Sequence, residues 1–314
     1  LSLLTKPSAD ENGFSPEQLS TEIRLTAEDI ESEINDKRSY AMTRMLETMC
    51  ADEIYGLTKN EILENVKKVT PQSLLAAWKF MLKNGIIQLN AIGNISEDDC
   101  KKKLREAFSD VGERTPYEPE TVFVEEAEDL TELTEELTMN QSKLVLGFRG
   151  GMTDENDDFY SRRIMTDVFG GGPYSRLFMN VREKLSLCYY CSARLIRGKG
   201  IIVIQSGIEK ENRQKVLDEI NRQLDIMKNG EFSDEDFEAS KKAICDAYRS
   251  FNDTPDALDI YYGTQLTGDI VTPDEAIENF LAVTRDDVKK TACALSLDTV
   301  YMLAGTDKED GADE

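Results

Sequence analysis

The 314 residues are 40% hydrophobic and 31% charged, enough apolar material for two folded domains and too much for a disordered chain. A net charge of −24 repels phosphate backbones and argues against a nucleic-acid partner. Histidine is absent, which excludes Ser-His-Asp and Cys-His catalysis and every histidine-based zinc site within these residues.

The opening residues 1–13 are polar and carry Pro7 and Gly13, so irregular structure is expected there. Ser15-Pro16-Glu17-Gln18 predicts a helix start, with serine at the N-cap, proline at the first helical position and Gln18 completing a capping box. Tyr40 to Met49 predicts a helix with Met42, Met45, Leu46 and Met49 on one face, and Thr58 or Asn60 opens another. Thr70-Pro71 opens the next, in which Trp78, Met81 and Leu82 read as core. Ile86 to Ile92 reads as a buried strand, and Ser96 starts a helix to about Phe108. Residues 110–135, with Pro116, Pro119 and many acids, read as an interdomain connection.

Lys143 to Arg149 begins the second half as a strand. Asp154 to Asp158 reads as the acidic N-terminus of a helix running to Phe169, although so many acids also raise calcium as a candidate. Gly170-Gly171-Gly172-Pro173 follows that helix, so it reads as a C-cap and tight turn rather than a phosphate loop, which would follow a strand. A helix through Arg182 leads to a hairpin of Cys188–Leu195 and Ile201–Ser206 around Gly198-Lys199-Gly200. Helices from Glu209, Ser233, Thr272 and Thr284 and a strand to Gly305 complete an α+β pattern with helices on one face of a sheet.

Part of this pattern occurs twice. Thr58-Lys59-Asn60-Glu61-Ile62-Leu63-Glu64-Asn65 echoes Thr272-Pro273-Asp274-Glu275-Ala276-Ile277-Glu278-Asn279, and each leads to a Val-Thr pair, Val69-Thr70 and Val283-Thr284. Phe14-Ser15-Pro16-Glu17 likewise echoes Phe232-Ser233-Asp234-Glu235. So long a period indicates a duplicated domain, and the first copy has room only for its C-terminal part. By that reading roughly 80–100 residues of the first copy precede Leu1. The domain expectation is therefore residues 1–125 as the incomplete first domain and 126–314 as the complete second one.

Six cysteines are scattered through the chain, which suits a reduced, cytoplasmic protein. No apolar run approaches the roughly 18 residues of a membrane span. Cys188 and Cys191 have Cys-x-x-Cys form, but strand alternation would turn them to opposite faces, and no second pair completes a metal site.

The densest constellation is Ser175-Arg176-Leu177-Phe178, then Val181-Arg182-Glu183-Lys184, with Ser186 and Tyr189 following. It resembles the second half of insulinase-type (M16) zinc peptidases, where Val-Arg-Glu-Lys-x-Gly-Leu-x-Tyr recurs after a glycine-rich turn. Ser186 stands in the usual Gly position and Tyr189 in the Tyr position. The resemblance implies two homologous insulinase-like (LuxS/MPP-like metallohydrolase) α+β domains with antiparallel-rich sheets. It also implies substrate-binding roles for Arg182 and Tyr189, set against the plainer reading of a structural ion pair and hairpin packing.

In the family, zinc is held by the histidines of His-x-x-Glu-His and a downstream Glu. That motif is absent here, and the downstream ligand would fall at Asp29, or at Glu28 or Glu31, on what also reads as an exposed acidic helix face. Residues Ile34 to Ala41 and Arg44 to Cys50 are most similar to a bacterial subgroup that lacks the zinc motif. The expectation is thus a catalytically inactive subunit with no cofactor of its own, binding peptide or protein and pairing as a homo- or heterodimer with a zinc-bearing M16 relative. The alternatives are a zinc endopeptidase whose motif lies outside these residues and a non-proteolytic scaffold.

Overall fold

Helices start where the sequence supplies caps, as a computed structural model shows for residues 1–118, 120–152, 158–265 and 270–306. The first residues are less irregular than expected: α1 (Ser2–Thr5) is one turn, and β1 (Ala9–Asp10) pairs antiparallel with β2 (Gly13–Phe14). Gly13 is required there, because its φ is +113° and a Cβ would lie 2.4 Å from the Pro71 carbonyl carbon. α2 (Pro16–Ser32) and α3 (Lys37–Met49) follow, the latter capped by Asp36, whose carboxylate accepts from the Arg38 and Ser39 amides. α4 (Lys59–Val66) precedes α5 (Pro71–Asn84), which opens on a Thr70–Ser73 capping box, and Ser96 caps α6 (Glu97–Ala107).

Strands β3 (Thr131–Thr138) and β4 (Ser142–Arg149) lead to α7 (Phe159–Gly170). A π-helical turn, Phe178–Lys184, precedes β5 (Cys188–Ile196) and β6 (Ile201–Ile208). Then come α8 (Arg213–Asn229), α9 (Asp234–Ser250), α10 (Pro255–Gly263), α11 (Pro273–Ala282), α12 (Arg285–Cys293) and β7 (Ser296–Thr306). Thr284 forms a capping box with Asp287, the counterpart of Thr70 with Ser73. No described helix is long and apolar enough to cross a membrane.

The chain divides into two compact units, each assembled from separated segments. One comprises Leu1–Ser32, Lys59–Glu120 and Tyr248–Glu275, and the other Glu33–Thr58, Thr121–Ala247 and Ala276–Glu314. In the first unit the strand expected over Ile86–Ile92 is not formed. The segment is irregular, with Leu89 46% exposed, because apolar content makes a strand only where a neighbour supplies the ladder of hydrogen bonds. Of the expected core residues there, Leu82 is buried, Trp78 is half-buried with its indole N–H donating to the Leu4 carbonyl at 3.0 Å, and Met81 is exposed.

The second unit is built on a five-stranded sheet of order β3-β7-β4-β6-β5, antiparallel except for the parallel β3–β7 pair. Strand β3 corrects the reading of residues 110–135 as connection: Leu133, Glu135 and Leu137 alternate inward from an edge strand rich in charge. Leu144, Leu146, Ile202, Ile204 and Met302 point to one buried face, on whose side α7 packs against β5 and carries α8 and α12. Val145, Val203, Tyr301 and Leu303 point to the other face, where α3 lies across β4 and β7.

Helix α3 docks through Ala41, Met45 and Met49, all buried, with Met42 and Leu46 at the margin. Each buried methionine contributes about 1.5–3 kcal/mol. Gly147 makes the approach possible, since a Cβ there would lie 2.5 Å from Met49 Sδ and 2.7 Å from Met45 Sδ. Beside this apolar contact, Arg44 donates to Glu135 through Nε at 2.9 Å and Nη2 at 2.6 Å, and Tyr40 Oη donates to the same carboxylate at 3.0 Å. Beyond the end of α3, Glu53 accepts from Lys199 and from Arg149, and Arg149 also donates to Asp298 at 2.8 Å. These four charges are almost fully buried and tie the segment after α3 to the β5–β6 turn and to β7.

Candidate functional site

Helix α7 ends at the glycine run as expected of a C-cap. Gly170 meets β5 so closely that a Cβ would lie 2.5 Å from the Ala193 amide nitrogen, and the Gly171 amide donates to the Asp167 carbonyl at 2.8 Å. The chain then turns into the π-helical segment that carries Arg182. A π-turn holds one residue more than an α-turn, and such turns recur at functional sites. Its end is closed by the Ser186 amide donating to the Arg182 carbonyl and the Leu187 amide donating to the Val181 carbonyl, both at 3.0 Å. Ser186 has φ +51°, the left-handed region, which is the physical reason a glycine would be preferred at this position.

Arg182 is 42% exposed at its side chain. Its guanidinium lies 4.7 Å from the Phe178 ring centroid, and its nearest carboxylate is Glu183 at 3.7 Å, a surface pair of little energetic weight. Tyr189 is the second residue of β5 and is 56% exposed. Its hydroxyl donates to Glu209, and that bond, with the carboxylate's charge, raises the phenol's pKa above its ordinary value. Both side chains therefore present polar groups to solvent from one short stretch of the second unit. Glu209, just beyond β6, was not among the sequence candidates. It sits in a run of charged residues, and only the hairpin register brings it to Tyr189.

The strand is also irregular here in a way the sequence does not announce. Cys188 pairs with Ile208 but Tyr190 pairs with Gly207, so Tyr189 and Tyr190 form a β-bulge opposite a single residue. The expectation that Cys188 and Cys191 face opposite sides is thereby overturned. They stand opposite Ile208 and Ser206, positions two apart that share a face. Both thiols are free and buried. A hydrogen bond from Cys191 lowers the Cys188 pKa, and the same contact together with burial raises that of Cys191.

The candidate zinc positions lie on an open helix face. Glu28, Asp29 and Glu31 lie exposed on α2, and Glu28 pairs with Arg24 at 2.7 Å. Among the described residues no group of three or more His, Cys, Asp or Glu side chains is placed to hold an ion. The acidic residues Asp154–Asp157 lie outside the described residues. Asp158 occupies the N-cap of α7 at φ +49° without a side-chain cap bond.

With this geometry in view, comparison with known proteins is specific. The sequence pattern of the peptidase M16 inactive domain matches residues 68–244. The Bacillus subtilis protein YmfF, described as a probable inactive metalloprotease, is 29% identical over 309 residues, covering 97% of this chain and 72% of that protein. A conserved protein of Enterococcus faecalis V583 has the same fold, with a TM-score of 0.84 and 25% identity over 97% of this chain and 72% of its own. The peptidase M16 inactive domain of Pseudomonas fluorescens superposes with a TM-score of 0.74 at 16% identity, over 93% of this chain and 72% of that one.

Proposed function

The chain belongs to the M16 peptidase family, matching its inactive domain, and on that premise we propose that it is a catalytically inactive, peptide-binding subunit that pairs with a zinc-bearing M16 peptidase. The observation that carries this reading is a histidine-free chain that nonetheless presents the Arg182 guanidinium and the Tyr189 hydroxyl, both exposed, on a π-turn and a β-bulge. Chemistry that needs zinc belongs to the partner. What this chain contributes is recognition: a guanidinium with five N–H groups can donate to the carbonyls of an extended peptide, and the Tyr189 oxygen, whose proton goes to Glu209, can accept from a peptide N–H. Glu209 orients the phenol.

In this reading residues 1–125 belong to a first family-type domain and 126–314 to a second. A reducing, cytoplasmic setting is supported by six free thiols. The acidic surface favours a protein or peptide ligand over nucleic acid.

The test is co-purification with a protein carrying His-x-x-Glu-His, followed by peptide cleavage by the pair. Arg182→Ala in this chain should lower kcat/KM of the pair by about tenfold or more, the value of a lost charge-assisted hydrogen bond. Unchanged cleavage removes the substrate role of Arg182.

A further inference from the structure

On the α3 side of the sheet, at the first turn of that helix, two cations share one aromatic ring. The Arg38 guanidinium carbon lies 4.4 Å from the Tyr190 ring centroid, and Lys143 Nζ lies 5.9 Å from it. The register builds this arrangement. Lys143 and Tyr190 both stand opposite Gly207, one from each side, so a row across three strands reads Lys143–Gly207–Tyr190. A Cβ on Gly207 would lie 2.5 Å from the Tyr190 ring and 2.8 Å from Gln141 Oε1, so only glycine lets the ring lie down over the sheet. The next row supplies Gln205 and Ser192, opposite one another.

These cations are poorly satisfied. Arg38 reaches Gln205 Oε1 at 3.4 Å and Ser192 Oγ at 3.5 Å, at the long limit of hydrogen bonding, and Lys143 donates to the neutral Gln141. Among the described residues neither has a carboxylate at ion-pair distance. Asp36 is the nearby acid, and its oxygens are occupied by the Arg38 and Ser39 amides and the Ser39 hydroxyl. Burial, and then the Arg38 charge, lower the Lys143 pKa, against a smaller opposing effect of the Asp36 carboxylate. In a chain of net charge −24, these two adjacent cations have no carboxylate at ion-pair distance among the described residues, and a bound anion would relieve their repulsion.

We propose that Arg38 and Lys143, on the Tyr190–Gly207 floor with Ser192 and Gln205 beside them, form a recognition site for a single carboxylate carried by a peptide. The overall charge disfavours polyanions, while one carboxylate matches an arginine fork with one flanking ammonium. The carrier is either a peptide C-terminus or an acidic side chain, and naming a peptide rests on the function proposed above.

The site is tested apart from that function with N-acetylglycine and its neutral amide, followed by NMR of isotopically methylated lysines. N-acetylglycine should raise the Lys143 pKa, the amide should not, and Arg38→Gln should weaken the acid's binding by about tenfold. Lys143→Met serves as a second variant if Arg38→Gln unfolds. An equal response to acid and amide, or none at saturating acid, overturns the site. A peptide with a free C-terminus is then compared with an amidated one and with an amidated one bearing an internal glutamate. Preference for the first or the third supports the site and identifies the carrier. Peptides that bind equally well overturn the site and leave the peptide-binding reading standing. Binding of N-acetylglycine without binding of any peptide supports the site and removes that reading.

Discussion

The Tyr189 hydroxyl donates to the Glu209 carboxylate across the open end of the β5–β6 hairpin. The acceptor's negative charge favours the neutral phenol, so ionisation of Tyr189 lies above the ordinary 10.0. Glu209→Gln removes the charge and should bring the tyrosine back toward its ordinary value in an ultraviolet difference titration. An unchanged titration would mean that this bond does not hold the phenol in solution.

Ser186 supports the same site from the other side. Its φ of +51° costs a serine energy that a glycine would not incur. Ser186→Gly should stabilise the chain by about 0.5–1 kcal/mol, and Ser186→Val should destabilise it by at least as much. Urea unfolding of the two variants reads both signs, and destabilisation by glycine would contradict the assigned backbone conformation.

The buried charges around Glu53 make a different kind of prediction. Lys199 and Arg149 are each 5% exposed at the side chain and both reach Glu53, so Glu53→Gln leaves Lys199 without an acid. Removing one partner of a buried pair costs about 3–5 kcal/mol. Arg149 retains Asp298 and should tolerate the change better than Lys199. A loss below about 1 kcal/mol in thermal unfolding would show that water reaches this cluster.

Acid should loosen α3. Burial alone would raise the Glu135 pKa, but the hydrogen bonds from Arg44 and Tyr40 outweigh it and hold it below 4.5. The folded-state value lies below the unfolded one, so this stabilisation is fully present above the unfolded value and is lost as pH falls through the folded value. Glu135→Gln should flatten that part of the stability–pH curve. An unaltered acid limb would assign the acid sensitivity to other carboxylates.

Much of the fold was legible because caps and periodicity are local. The starts at Pro16, Pro71, Ser96 and Thr284, the hairpin around Gly198, and Met45 and Met49 as one helix face follow from neighbouring residues alone. The misreadings concern partners distant in sequence. Charge in β3 concealed its alternation, since this edge strand keeps one side in water. The Ile86–Ile92 segment has the composition of a strand and no ladder. At the site, Arg182, Tyr189 and the glycine preference at Ser186 were visible in the motif. The bulge that reunites Cys188 with Cys191, the glycine floor beneath Tyr190 and the reach of Glu209 to Tyr189 depend on register, which the sequence does not encode locally.

Peptide hydrolysis, measured with the protein alone and again with a zinc-bearing M16 partner, tests the central claim most directly. The account predicts no hydrolysis and no stoichiometric zinc for the protein alone, and cleavage by the pair that falls about tenfold or more with Arg182→Ala. Stoichiometric zinc together with chelator-sensitive hydrolysis by the protein alone would contradict it.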